Sequence, residues 1–324
     1  NRVLITVGDV TGHGLQASVI MGKLRHGCNV VGMYEGDPSR VLDVAERIVL
    51  KRYPEAIATA FIAIVDTINH TMAYANAGHP PPLLRLKDGS VRQLEVSGLP
   101  IGARHLRPSA PALSESLENV EAILFYTDGL SESTRDVIEG ERRMREGLEN
   151  EASVLVTETA DFVKTLCVRG PAPDDVAVLA LNFRDVDRWK FQSNDQRAGQ
   201  KARRQFCERL RARGVPSEDC AAAELIFGEV VANVARHAAG SLDVALEWRG
   251  ATPVLHVIDR GRGYEAGEFR AADVLSEGGR GLWLVGRLGG RLDVNVIDGF
   301  GAHTMVTLPT VATTAPSSRA ARRA

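Results

Sequence analysis

Apolar and polar side chains alternate over residues 2–7, the period of a half-buried strand, and the alternation breaks at Gly8-Asp9-Val10-Thr11-Gly12-His13-Gly14. Helical spacing follows over residues 15–34 and again over 38–53. Residues 59–66 form a nearly unbroken apolar run, the signature of a buried strand, and residues 71–77 read as its partner across the turn Thr67-Ile68-Asn69-His70. Gly78-His79-Pro80-Pro81-Pro82 forces an irregular extended turn before a strand at 83–86, and Lys87-Asp88-Gly89-Ser90 reads as a hairpin turn. A strand at 121–126 delivers Thr127-Asp128-Gly129 at its end, and a charged helical stretch follows. The proline-bearing stretch 171–173 then leads into Asp174-Asp175 and a strand at 176–182. Residues 184–188 read as a linker. Beyond them come a basic amphipathic helix within 191–213, a helix over 221–238, a β-branched strand at 254–258, a glycine-flanked helix start near Arg280, and a last strand containing Thr304.

Composition narrows the classes. With 324 residues the chain has room for two ordinary domains. A net charge of −2 argues against a mainly nucleic-acid-binding protein. Four cysteines without Cys-x-x-Cys spacing argue against a zinc site or a disulfide framework. The longest apolar run, 57–65, falls far short of the roughly 20 residues a spanning helix needs. A soluble cytoplasmic protein without membrane or direct nucleic-acid contact is therefore expected. Arg319, Arg322 and Arg323 lie among small residues in a tail, 311–324, expected to be disordered. Residue 1 is Asn and no signal-peptide pattern follows, so a fragment or processed chain is expected.

The candidate chemistry of the first half is carboxylate chemistry. Asp9, Asp128 and Asp174 or Asp175 stand at the ends of separate hydrophobic strands, where several acids can surround a divalent metal. Taken singly each is an ordinary turn residue; as a set they point to oxygen ligation of a hard cation. His13 and His79 read as hydrogen-bonded structural histidines, because such cations prefer oxygen. Asp9 in Gly-Asp-Val-Thr-Gly-His-Gly, Asp128 in Tyr-Thr-Asp-Gly and Asp174 in Asp-Asp-Val-Ala-Val resemble the PPM-type serine/threonine phosphatases. The stretches 60–66, 76–84 and 99–102 are similar to the bacterial, stage II sporulation protein E-like branch, which acts on phosphorylated anti-sigma-factor antagonists. The resemblance implies Mn²⁺ or Mg²⁺ held by Asp9, the Val10 carbonyl, Asp128 and Asp174, with Asp175 as the alternative to Asp174. Members of that family carry a further acidic motif on strands ahead of the Asp9 segment, so weak or no phosphatase activity and a single ion are expected of this chain.

In the second half Glu229 and Asn233 are four residues apart on one helix and share a face. A carboxylate beside a carboxamide suits a site where the acid takes a proton and the amide oxygen meets Mg²⁺. Asp259-Arg260-Gly261-Arg262-Gly263 closes a strand, and Gly279-Arg280-Gly281 opens a helix whose N–H groups favour phosphate. These elements, in this order over residues 189–309, resemble the GHKL ATPases and within them the bacterial anti-sigma-factor serine kinases. The resemblance implies Glu229 as catalytic base, Asn233 on Mg²⁺, and Asp259, Gly261, Gly263, Gly279, Gly281 and Thr304 around ATP, with residues 264–277 as a lid. His237 reads as a structural or supporting residue.

The expected fold is therefore a two-domain α+β chain. A PPM phosphatase β-sandwich flanked by helices and lacking its first strands occupies 1–184, and a GHKL (Bergerat) α/β-sandwich ATPase domain occupies 185–310. The two resemblances together imply reversible serine phosphorylation of a STAS-type anti-sigma-factor antagonist, with a sigma factor as the other client and a homodimer through the kinase half. The alternative is an ATP-bound sigma- or antagonist-binding module beside an inactive phosphatase scaffold.

Overall fold

The computed structural model describes residues 2–103, 111–134, 136–170, 174–261 and 280–309. The expected positions Gly263 and Gly279, the lid at 264–277 and the tail at 311–324 lie outside the described residues. The chain divides into two compact units, one formed by Asn1–Asn150 with Val163–Phe183 and the other by Glu151–Phe162 with the chain from Arg184 onward.

The first unit contains β1 (Arg2–Val10), α1 (Leu15–Gly32), α2 (Pro38–Arg52), β2 (Ala58–Asp66), β3 (Thr71–Ala77), β4 (Leu83–Leu86), β5 (Val91–Gln93), β6 (Leu113–Ser116), β7 (Val120–Tyr126), α3 (Asp128–Ser131) and α4 (Val137–Glu149), and ends with β8 (Val178–Asn182). Its strands form two antiparallel sheets, in the orders β1-β2-β3-β6 and β5-β4-β7-β8. The near-continuous apolar run of β2 has a direct cause, because successive side chains go to opposite faces and both faces are covered. Ala58, Ala60 and Ile62 pack with Leu24, Cys28, Leu42 and Ala45 of α1 and α2. Phe61, Ala63 and Val65 pack with Leu84, Ile123 and Phe125 of the other sheet. Phe61 is fully buried, with ring centroids 5.8 Å from both Tyr74 and Phe125. Truncating such a residue to alanine costs about 3–5 kcal/mol.

Local rules set the boundaries. Asp37 starts α2 by accepting from Ser39 N at 2.8 Å, with Pro38 at the first helical position. Asp136 starts α4 in the same way through Ile138 N at 3.0 Å. At the far end of α4, the buried Arg85 donates to the carbonyls of Leu148 and Glu149 and pairs with Glu121 at 3.1 Å. Strand β1 does not break at Gly8 as the sequence suggested; it continues through the register Gly8↔Ala60, Asp9↔Thr59 and Val10↔Ala58. A Cβ on Gly8 would stand 2.4 Å from the Thr59 carbonyl oxygen, so this glycine serves close strand approach rather than a turn.

The second unit contains α5 (Ala152–Leu155), the start of α6 (Thr159–Cys167), β9 (Asp187–Gln192), α7 (Gln196–Ala212), α8 (Ser217–His237), β10 (Ser241–Arg249), β11 (Thr252–Asp259), α9 (Arg280–Arg287), β12 (Arg291–Ile297) and β13 (Gly301–Thr307). Its sheet runs β12-β13-β11-β10-β9. Strand β9 takes up the last part of the expected linker, because Asp187 and Arg188 pair with Leu246 and Ala245. Phe206 and Leu210 of α7 and Ile226, Phe227 and Val230 of α8 pack on one face of this sheet, against Leu242, Val244 and Leu246 of β10 and Leu255 and Val257 of β11.

The alternate residues of the same strands carry charge. Glu247 accepts from Arg184 Nε at 2.9 Å and from Arg249 Nε at 2.7 Å, and its Oε2 lies 3.3 Å from His256 Nε2. His256 Nδ1 in turn lies 2.9 Å from His303 Nε2, and Arg184 also reaches Glu151 at 3.1 Å. Burial and the neighbouring His256 push His303 down to about 3, so this ring is neutral.

Candidate functional site

Three strand ends of the first unit bring the predicted acids into one electrostatic neighbourhood. Asp9 sits at the end of β1, Asp128 opens α3 directly after β7, and Asp174 and Asp175 precede β8. Burial and the facing charge of Asp128 hold the Asp9 carboxyl above the usual carboxylate range; the Val10 backbone N–H opposes this, while Asp174 and Asp175 reinforce it. Asp9, Arg25, Thr127 and Asp175 line a cavity of about 530 Å³ whose other walls include Met21 and Leu179. The Val10 side chain is buried in the core, so only its backbone can serve as a ligand.

Close packing fixes the approach of the last two acids. A Cβ on Gly129 would stand 2.4 Å from the Asp175 carbonyl oxygen and 3.3 Å from the Asp174 carbonyl carbon. The Thr127 hydroxyl donates to Asp175 O at 3.0 Å and accepts from Ala177 N at 3.0 Å, tying the end of β7 to the segment ahead of β8. Asp174 is exposed and accepts from the Asp175 N–H at 2.7 Å.

The donor set fits a hard divalent cation in kind, being all oxygen, and in charge, since the carboxylates repel one another. It does not close into a cage: among the described residues no group of three or more His, Cys, Asp and Glu side chains is arranged to hold a metal ion. His79 is no ligand. Both its ring nitrogens are engaged, Nδ1 with Thr59 Oγ1 at 2.9 Å and Nε2 with the Tyr126 carbonyl at 3.0 Å, and burial pushes it down to about 4. His13 is exposed.

In the second unit the buried stripe of α8 runs Cys220, Ala223, Phe227, Val230, Val234, and Asn233 lies on it, 6% exposed. A carboxamide at this place has an oxygen that suits a hard cation. Glu229 is half-buried one turn earlier. Asp259, at the end of β11, is 3% exposed and accepts from Gly261 N at 2.6 Å. Burial raises its carboxyl, against the Gly261 N–H. A Cβ on Gly261 would meet Ala238 Cβ at 2.7 Å and the Asp259 carboxylate at 2.8 Å, so this loop has room only for glycine. Thr304 is fully buried on β13 opposite Val257, two residues back from Asp259 along β11. Gly281 lies in the first turn of α9.

Sequence reasoning missed Thr59, Thr127 and Gly301. The first two read as ordinary strand threonines, and only tertiary pairing gives them a role. Gly301 drew no reading from the sequence, yet a Cβ there would stand 1.9 Å from the Asp259 carbonyl oxygen.

Comparison with known proteins gives two family matches. Residues 1–184 match the family described as stage II sporulation protein E (SpoIIE). Residues 191–308 match the histidine kinase-like ATPase domain. The chain is similar to the phosphoserine phosphatase RsbU of Bacillus subtilis, 28% identical over 130 residues, which is 40% of this chain and 38% of RsbU. It is also similar to protein IcfG of Synechocystis, 30% identical over 111 residues, 33% of this chain and 17% of that protein. The chain thus spans less than two fifths of the length of these curated relatives. Among solved structures, the RsbU and RsbW domains of Rv1364c from Mycobacterium tuberculosis align with 95% of this chain and 86% of that one, at 25% identity and a TM-score of 0.49. No helix among the described residues is long and apolar enough to cross a membrane.

Proposed function

The chain belongs to the stage II sporulation protein E (SpoIIE) family and carries a histidine kinase-like ATPase domain behind it, and from that membership we propose that it sets the phosphorylation state of a serine on an anti-sigma-factor antagonist. The first unit removes the phosphate and the second restores it from ATP. The antagonist is of the STAS type, and the sigma factor it competes with is the other client of the ATPase half.

The observation that carries this reading is the convergence of the strand ends bearing Asp9, Asp128 and Asp175 on one cavity, lined by Asp9, Thr127 and Asp175, with Gly129 packed against Asp174 and Asp175. Asp9, the Val10 carbonyl, Asp128 and Asp174 or Asp175 would hold Mn²⁺ or Mg²⁺. When bound, such ions acidify water for attack on phosphorus and neutralise the phosphoryl oxygens. This chain's own part is to present the carboxylates and to keep Asp128 and Asp175 apposed through Thr127 and Gly129. His79 is left out of proton transfer by its two hydrogen bonds.

In the ATPase half Asp259 would accept from the adenine amino group, Gly261 would let the backbone approach the base, and Asn233 would offer its amide oxygen to Mg²⁺. Glu229 would take the proton from the attacking serine hydroxyl as the serine oxygen accepts the γ-phosphoryl group and ADP leaves.

A second reading has an observation in its favour. The described carboxylates do not form a closed metal cage, which supports a phosphatase half acting as scaffold beside an ATP-dependent binding module. Two assays on the whole chain separate the readings. The enzyme reading expects Mn²⁺-dependent phosphate release from a phosphorylated STAS-type antagonist, abolished in Asp128→Asn, and label transfer from ATP to the unphosphorylated antagonist, abolished in Glu229→Gln. Neither turnover, with ATP-dependent antagonist binding intact, sinks it in favour of the binding module.

A further inference from the structure

A partly buried chain of hydrogen bonds links the strand ends that carry Asp9, Asp128 and the pair Asp174 and Asp175. It starts at Thr59, the cross-strand partner of Asp9 in the β1/β2 register. The Tyr126 carbonyl can only accept, so His79 Nε2 carries the proton, and Nδ1 must accept from the Thr59 hydroxyl. Tyr126 is the last residue of β7, two before Asp128. Thr127 carries the chain on to Asp175 O and Ala177 N, and its own N–H donates to Ala177 O at 3.1 Å.

The imidazole at the centre is held from behind as well. Asn76 grips both main-chain groups of His79, accepting from its N–H at 3.0 Å and donating to its carbonyl at 2.9 Å. The residue is 4% exposed. Its backbone is thus fixed to β3 while its ring bridges β2 and β7.

We propose that His79 is a positioning residue for the carboxylate cluster: held by Asn76 and by Thr59, it sets the spacing between the strand ends bearing Asp9 and Asp128, and Thr127 passes that spacing on to Asp174 and Asp175. The inference rests on the metal reading of the cluster. It assigns to the Gly78-His79-Pro80 segment a role at a distance, since both ring nitrogens are taken by protein groups. The ring works because it is a rigid plane with one donor and one acceptor on opposite edges, a strut that a flexible amide reproduces on one side only.

The test is calorimetric titration of Mn²⁺ into the whole chain without nucleotide, for wild type, Thr59→Val, Thr59→Ser, His79→Gln and Asp128→Asn, with circular dichroism and thermal melts alongside. Residues that orient ligands from behind change metal affinity by about 10- to 100-fold. Thr59→Val and His79→Gln are expected to weaken Mn²⁺ binding by about tenfold or more while folded, and Thr59→Ser to restore it to near the wild-type value. Thr59→Val keeps the shape of the side chain and decides the matter if His79→Gln does not fold. Wild-type affinity in folded Thr59→Val, with binding lost in Asp128→Asn, would overturn the positioning role and leave the metal site standing. A wild-type chain that takes up no Mn²⁺ overturns the metal reading itself, and the inference with it.

Discussion

Gly129 and Asp175 lie so close that a β-carbon on the first would sit 2.4 Å from the carbonyl oxygen of the second. The contact sets how near the start of α3 comes to the segment that leads into β8, and so how near Asp128 comes to Asp174 and Asp175. Gly129→Ala must push backbone against backbone. Overpacking of this kind costs about 1–3 kcal/mol, and the melt should fall accordingly. Mn²⁺ affinity should fall with it, whereas a change confined to the melting temperature would mean the acids do not share an ion.

On the proposed reading, Asn233 and Glu229 of α8 would divide the work of the ATPase half. Asn233→Ala removes the buried carboxamide and should weaken Mg²⁺-ATP binding by about tenfold or more, the equivalent of a lost charge-assisted contact. Glu229→Gln should leave ATP binding within a few-fold of wild type and remove phosphotransfer. Fluorescent-nucleotide titration and label transfer separate the two; equal loss of binding in both variants would contradict the assignment.

Asp259 is held above the ordinary carboxylate range by burial. The acceptor role proposed for it is strongest in the ionised form, so ATP affinity should decline on acidification at a higher pH than an exposed aspartate would dictate. Asp259→Asn should bind ATP more weakly at neutral pH and lose that pH dependence. An unchanged profile in the variant would assign the titration to another group.

Arg85 is 4% exposed and joins Glu121 to the last carbonyls of α4. Arg85→Met leaves the Glu121 carboxylate without this partner and removes the guanidinium donor from the Leu148 and Glu149 carbonyls. Removing one member of a buried pair costs about 3–5 kcal/mol, to be read from urea unfolding of the first transition. A loss below about 1 kcal/mol would put the pair among weak surface contacts.

His303 gives the second unit a predictable acid limb. Its folded value of about 3 lies below the ordinary histidine value of 6.5. The unfolded chain therefore binds the proton first, and stability is complete above about pH 6.5 and falls as pH drops toward 3. The slope is about 1.4 kcal/mol per pH unit for one such group, or about 2 kcal/mol between pH 6.5 and 5. His303→Gln should flatten this part of the stability profile. A variant as acid-sensitive as wild type would assign the effect elsewhere.

Much of the fold and of the candidate chemistry is legible in the chain. The two-sided burial of β2 writes itself as an apolar run, and the inward stripe of α8 as helical periodicity, because both faces or one face must be covered. The partition into a SpoIIE-family half and an ATPase half follows from motifs whose residue types are demanded by the chemistry. Less legible are features that depend on what lies across a gap. Gly8 reads as a breaker because the sequence does not reveal the Thr59 carbonyl that needs the space. The short edge strands β5 and β6 carry too few residues to show a period. Strand β9 hides in charged residues, since Asp187 and Arg188 owe their extended form to pairing with β10. Thr59 and Thr127 are silent in the sequence because a hydroxyl's partners come from distant segments.

The second unit is discontinuous in the chain: Glu151–Phe162 belongs to it although the rest begins at Arg184. Glu151 holds both Arg184 and Arg249, and those two guanidinium groups hold the buried Glu247. An expression clone begun at residue 191, where the ATPase family match starts, leaves Glu151 and Arg184 behind and strands a carboxylate in the interior with one arginine fewer. Anyone trimming this gene for the ATPase half alone inherits that deficit, and a graft that carries the twelve-residue insert along with the rest is the piece that should survive excision.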